Sequence, residues 1–289
     1  MVMTGMLALP EGCIAAVIAF TTPRDACRLA CVSTTFRSAA DSDIVWNRFL
    51  CPEYLSKISD PGSVSSLSKK ELYLCTCHNP IHNGKLCFWI DISSGKKCYM
   101  ISPKGLYIQD IDDIEYDDVI AWSWWSLPDL QKFFDYIPFG RFPEVVMRSE
   151  PEDFEIRGKI STSLLSPMTT YVAYLVFSIA SFVHIEDVTS YIIYSPIKVF
   201  AGLVESNNGQ RRTVYFHREH QYGDDNGLFP KKWAWLLENE FNERYGWLES
   251  EFGEFFNRGD VEGELLMTVE TTYKVGLIVQ GIEIRPKKE

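Results

Sequence analysis

Residues 9–50 carry a series of short helix signals, each with its own start, and little else. Leu9-Pro10-Glu11 opens the series. Pro10 suits a first helical position, where a missing N–H costs nothing. Ile14, Val17 and Ile18 then share one face at i, i+3, i+4 spacing. Thr22-Pro23-Arg24-Asp25 restarts a helix with a hydroxyl cap, a proline after it, and a carboxylate three residues beyond the cap. Ala26, Leu29, Ala30 and Val32 supply the next apolar face. Ser33 or Thr34 can cap a further turn carrying Phe36, and Ser42-Asp43 starts the helix that holds Trp46. A segment this short buries too little to carry chemistry. It can form one docking surface.

The ordered set Leu9, Pro10, Ile14, Ile18, Asp25, Leu29, Val32, Phe36 and Trp46 resembles an F-box. Phe36 stands where many members have tryptophan, and Cys13-Ile14 where Leu-Leu-like pairs are usual; both remain apolar. The resemblance implies docking onto the small Skp-type adaptor of cullin-RING ubiquitin ligases, with the rest of the chain choosing the target. It also implies that Leu9, Pro10, Ile14, Ile18, Leu29 and Val32 contact the adaptor or support the residues that do. Which of them form the module's own core is not separable at this level.

The chain has 289 residues, room for one large domain beside a small module. A hydrophobic fraction of 46% excludes a disordered chain. A net charge of −11 argues against a nonspecific nucleic-acid grip, which needs clustered Lys and Arg. Cys27 and Cys31 sit four apart on a predicted helix, and no basic, apolar leader is evident, so a reduced cytoplasmic or nuclear setting is expected. The apolar run at 171–185 contains Ser178, Ser181 and His184 and is short for a membrane span.

After a serine-rich connector around 59–66, Ser68 with Glu71 forms a candidate capping box. From Leu86 the texture becomes strands. Ser93-Ser94-Gly95-Lys96-Lys97 is turn chemistry between two apolar runs and predicts a hairpin. A second hairpin is expected around Asn207-Asn208-Gly209, a strand over 275–284, and a helix over 231–245. The fold class expected is α+β, with a helical module at 1–50, a connector with a short helix at 51–85, and an antiparallel β-sandwich at 86–289.

Three blocks in the β-rich part resemble the phloem-protein-2-like, or Nictaba-type lectin, domain. They are Phe88-Trp89-Ile90-Asp91 with Gly95-Lys96-Lys97-Cys98-Tyr99-Met100, Gly246-Trp247-Leu248-Glu249 with Gly253-Glu254-Phe255-Phe256-Asn257, and the run from Gly276 to Pro286. The resemblance implies a jelly-roll-like sandwich and, in lectin members, binding of N-acetylglucosamine oligomers and N-glycan cores. It points to Trp122 and Glu264 as carbohydrate-binding residues. At the two other family positions this chain has Asp110 and Thr271, with Glu270 one residue away and facing the opposite side of a strand, so the family's sugar site is reshaped or lost. Read from chemistry alone, a sugar site wants an exposed aromatic plate beside carboxylate or amide groups. Trp122-Ser123-Trp124-Trp125 fits that use or a sandwich core, and core is the commoner one.

The acidic cluster from Asp110 to Asp118 lacks an EF-hand pattern and reads as a solvated loop. Cys75-Thr76-Cys77-His78 with His82 lacks a second matching pair for zinc. His217 and His220 have no nucleophile motif beside them. No metal, cofactor, nucleic acid or membrane is expected. The two resemblances together imply a non-enzymatic substrate-recognition subunit with a Skp-type adaptor, a cullin and a target protein or glycoprotein as partners. The alternative is a lectin that acts independently of ubiquitination.

Overall fold

The computed structural model describes residues 9–52, 67–111, 121–133, 139–149, 153–179, 197–204, 209–214, 241–244, 247–260, 262–271 and 276–288. The chain divides into two compact units, one reaching His82 and taking in Phe88–Cys98, the other made of Asn83–Cys87 and the chain from Tyr99 onward. Residues 88–98 thus group with the helices, past the boundary expected near 86.

In the first unit α1 (Glu11–Ile18), α2 (Pro23–Ala30), α3 (Thr34–Asp41) and α4 (Asp43–Phe49) follow one another. Pro10 takes the position before α1, with ψ of 145°, and its carbonyl accepts from Cys13 and Ile14 N–H. That is one residue earlier than expected, because this extended ψ lies outside the helical range. Thr22 caps α2, accepting from Asp25 N–H at 3.1 Å, while Ser33 and Ser42 cap α3 and α4. Each side-chain oxygen satisfies an otherwise orphan amide. A further helix, α5 (Lys69–His78), opens with the Ser68/Glu71 capping box.

The apolar faces meet in a small core of Ile14, Ile18, Ala26, Phe36, Val45 and Trp46. Trp46 donates its indole N–H to Ala40 O at 2.7 Å and packs on Tyr73 of α5 at 5.3 Å between ring centroids. Tyr73 in turn donates its hydroxyl to the carbonyls of Asp91 and Ile92, at 3.2 Å each. This ties α5 to the turn that follows β2 (Leu86–Ile90). The turn closes as the sequence predicts: Asp91 N–H donates to Lys96 O, Gly95 N–H to Asp91 O, and Gly95 has a φ of +71°, which favours glycine. β1 (Ile81–His82) precedes this hairpin and β3 (Lys97–Ile101) completes it.

The second unit is an antiparallel β-sandwich. Its larger sheet centres on β14 (Leu277–Pro286), flanked on one side by β8 (Thr169–Ile179) and on the other by β3 and β6 (Glu144–Arg148). β12 (Trp247–Asn257) pairs β8, β11 (Phe241–Arg244) pairs β12, and β5 (Trp122–Ser126) pairs β6. The smaller sheet runs β10 (Gln210–Val214), β9 (Ile197–Leu203), β13 (Glu264–Thr271), β7 (Phe154–Ser161), β4 (Tyr107–Ile108). Period-2 burial along β7 turns Phe154, Ile156 and Ile160 inward. The sheets approach closely at Gly158, where an added Cβ would lie 3.0 Å from Ile282 of β14. A short helix, α6 (Leu127–Phe133), follows β5.

The hairpin expected around residues 207–209 is present as β9 and β10. The helix expected over 231–245 is not what residues 241–244 form. They are strand β11, and they pair with β12 because ladder hydrogen bonding there outweighs a loosely periodic apolar pattern. Residues 231–240 and 245 lie outside the described residues, as do the acidic positions 112–118, His217 and His220. Among the described residues no group of His, Cys, Asp or Glu has a metal-holding arrangement. No helix among them is long and apolar enough to cross a membrane.

Candidate functional site

The six residues expected at an adaptor contact separate by burial. Ile14 and Ile18 are buried within the helical unit and act as its core. Leu29 is half-buried, Pro10 exposed, Leu9 is 44% exposed and Val32 67%. Val17, Phe20 and Ile44 of the same unit are also exposed apolar side chains. Ile14 and Ile18 occupy the inner face of α1 because they fall on its apolar stripe, which the unit needs for its own stability. The residues free to meet a partner are Leu9, Pro10, Val32 and, in part, Leu29.

The two carbohydrate-site residues are not brought together. Trp122 is 1% exposed, edge-on to Phe154 of β7 at 4.9 Å between centroids. The buried Arg148 guanidinium lies 5.4 Å from the Trp122 ring centroid and 5.3 Å from that of Phe154. A ring sealed between two sheets offers no plate to a sugar. Trp122 is core because its ring packs on Phe154 of the facing sheet, whereas Trp124, two residues on along the same face of β5, is 43% exposed. Glu264 is exposed and pairs with Lys159 at 3.4 Å. Phe154, against which Trp122 packs, pairs with Thr271, at the opposite end of β13 from Glu264. At the usual rise of a strand that is roughly 23 Å away. Glu270 is exposed and Thr271 buried, the opposed facing expected of neighbours on a strand.

A different constellation is assembled on the larger sheet. Phe139, Arg141, Trp247, Glu249, Gln280 and Glu283 line a cavity of about 200 Å³. Glu249 of β12 and Glu283 of β14 are almost wholly buried. Arg285 joins them, donating to both oxygens of Glu249 at 2.7 and 2.6 Å and to Glu283 at 3.1 Å. Its guanidinium also stacks 3.8 Å from the Tyr174 centroid. Burial works to lower the Arg285 pKa, but hydrogen bonding to Glu249 and the Glu283 and Glu249 charges outweigh it, so the group is held above its ordinary value. Arg141 lies 3.8 Å from Glu283 on the other side. Two carboxylates and two guanidiniums therefore balance, as buried charge requires. Near Glu283, burial pushes the Cys87 thiol up to about 12, which leaves it inert at neutral pH.

Gln280 owes its position to a β-bulge. Val279 pairs with Phe177 and Gly281 with Val176, leaving Gln280 as the extra residue. Gly281 holds the bulge at φ +149°, and a Cβ there would meet Ile101 O at 2.1 Å. Sequence reasoning used Trp247, Glu249, Gln280 and Glu283 only as family blocks. The signal available was polar residues inside runs otherwise fit for burial.

Comparison with known proteins gives two family matches. The F-box domain matches residues 6–48, and phloem protein 2 matches residues 96–286. The F-box protein At2g02240 of Arabidopsis thaliana is 39% identical over 285 residues, covering 97% of this chain and 80% of that one. The F-box protein PP2-B10 of the same plant is 37% identical over 288 residues, covering 96% and 93%. Among solved structures, the carbohydrate-binding module TmCBM61 in complex with β-1,4-galactotriose aligns at a TM-score of 0.32 and 10% identity, covering 63% of this chain and 88% of that one. With the helical unit and the sandwich each matched by its own family, this chain belongs to the F-box proteins that carry a phloem protein 2 domain.

Proposed function

We propose that this protein is the substrate-recognition subunit of an SCF-type cullin-RING ubiquitin ligase. The F-box unit docks a Skp-type adaptor, and the lectin-like sandwich holds a target protein, glycosylated or not. The observation that carries this reading is the F-box match over residues 6–48 on a unit that compacts by itself yet leaves Leu9 and Val32 exposed. Exposed apolar side chains on a unit with its own core fit a surface made for a partner. The protein acts by proximity, bringing its cargo to the ligase, and forms no covalent intermediate. Its setting is the cytoplasm or nucleus, in keeping with eight cysteines that form no disulfide among the described residues.

Reconstitution tests this directly. Full-length protein, a plant Skp-type adaptor and a cullin are mixed and resolved by gel filtration. One peak holding all three at equal stoichiometry is expected. Elution of the protein apart from the adaptor at micromolar concentrations would remove the reading.

A further inference from the structure

We propose that the cavity beneath Phe139 is a binding site for an uncharged sugar ring, separate from Trp122 and Glu264. It rests on the reading of the sandwich as the cargo-holding half and says where the cargo is gripped.

The cavity's size fits one ring. A volume of about 200 Å³ is many times the roughly 10–15 Å³ that one water needs and leaves room for a monosaccharide ring. Its wall is polar but electrically balanced, since Arg285 and Arg141 answer Glu249 and Glu283. A charged ligand would upset that balance; a neutral one leaves it intact. Each Glu249 oxygen has a lone pair beyond the one that Arg285 occupies, so it can accept from a hydroxyl.

Gln280 supplies the complementary need. It is 2% exposed, and its Nε2 has no hydrogen-bond partner among the described residues. An unmet buried donor is costly and rare in native proteins. The bulge that carries Gln280 is the kind of irregularity that re-aims a side chain beside a site. Gly140 keeps room for it, because a Cβ there would fall 1.7 Å from Nε2. The terminal amide torsion is soft, so Nε2 can turn onto a ligand oxygen.

Phe139 completes the chemistry. It is 89% exposed at the rim, while its carbonyl is held by the Trp247 indole N–H at 3.2 Å. An exposed ring anchored through its backbone is a plate for the C–H face of a pyranose. Hydroxyls both donate and accept, so one sugar edge meets Gln280 and Glu249 together.

The test uses full-length protein with ¹⁵N-labelled indoles, the Trp247 signal being assigned with Trp247→Phe. It is titrated with methyl glycosides of glucose, galactose, mannose and N-acetylglucosamine, and separately with methyl glucuronide and acetyl-asparagine-amide. At least one neutral glycoside is expected to shift the Trp247 indole signal saturably. Its Kd should rise at least tenfold in Gln280→Leu and in Phe139→Ala, and stay unchanged in Glu264→Ala. Phe139→Ala alters an exposed side chain, so its result stands even if Gln280→Leu fails to fold. Silence of Trp247 toward every neutral glycoside, a response to the glucuronide or the amide alone, or unchanged Kd in Phe139→Ala would each overturn the site. Adaptor binding by the same sample is read in parallel. Adaptor binding without sugar binding sinks the site alone, and sugar binding without adaptor binding sinks the receptor reading alone.

Discussion

Trp122 shows how one position can carry a family's binding signature and still serve the core. Its ring is enclosed by Phe154 and by the Arg148 guanidinium, whose attraction to the ring face stabilises a buried charge that would otherwise be expensive. Trp122→Ala is therefore expected to cost about 3–5 kcal/mol of stability, the range for removing a large buried aromatic. Urea denaturation followed by circular dichroism measures this, and a loss below about 1 kcal/mol would show that the ring is not core. Residue type and spacing made Trp122 conspicuous in the sequence, but its facing depends on the strand register of β5 with β6, which no local pattern sets.

Elements built from local chemistry were legible, and so was β14 from its own apolar run, but details set by distant pairing were not. Thr22, Ser33, Ser42 and Ser68 announce their helices because each cap bonds an amide two or three residues on. The turn after β2 is equally local. Asp91 accepts from Ser93 Oγ, Ser94 Oγ and Ser94 N–H, at 2.6, 2.7 and 2.9 Å. Burial pushes its pKa up, but the serine hydrogen bonds outweigh burial and hold it below the ordinary aspartate value. The folded pKa is thus lower than the unfolded one, so the turn's contribution is complete above the unfolded value. It is lost as pH falls through the folded one. Stability measured from pH 6 down to about pH 2 should fall more steeply in the natural protein than in Asp91→Asn, with the difference confined below about pH 4. Parallel curves would contradict that role. By contrast, residues 241–244 follow β12 across the sheet, and the bulge at Gln280 exists only because β14 must stay in register with β8 on both sides of it. Neither demand is written in the segment itself.

At the scale of the molecule, the two-part organisation was readable because each part has its own periodicity, helical before residue 50 and strand-like after 86. Tyr73 ties the 91–92 turn to the helical unit through hydrogen bonds that sequence does not show. The F-box resemblance named Ile14, Ile18, Leu29 and Val32 as contact or support, and their different burial separates core from exposed residues. The cavity under Phe139 was invisible because its walls come from β12, β14 and the segment before β6. We propose that exposed apolar residues of the helical unit, not its buried ones, meet the adaptor. Isothermal titration of full-length Leu9→Asp/Val32→Asp against a Skp-type adaptor tests it, with thermal melting as the control for folding. An affinity at least tenfold weaker with an unchanged melting temperature is predicted, and natural affinity in that double variant would contradict the claim.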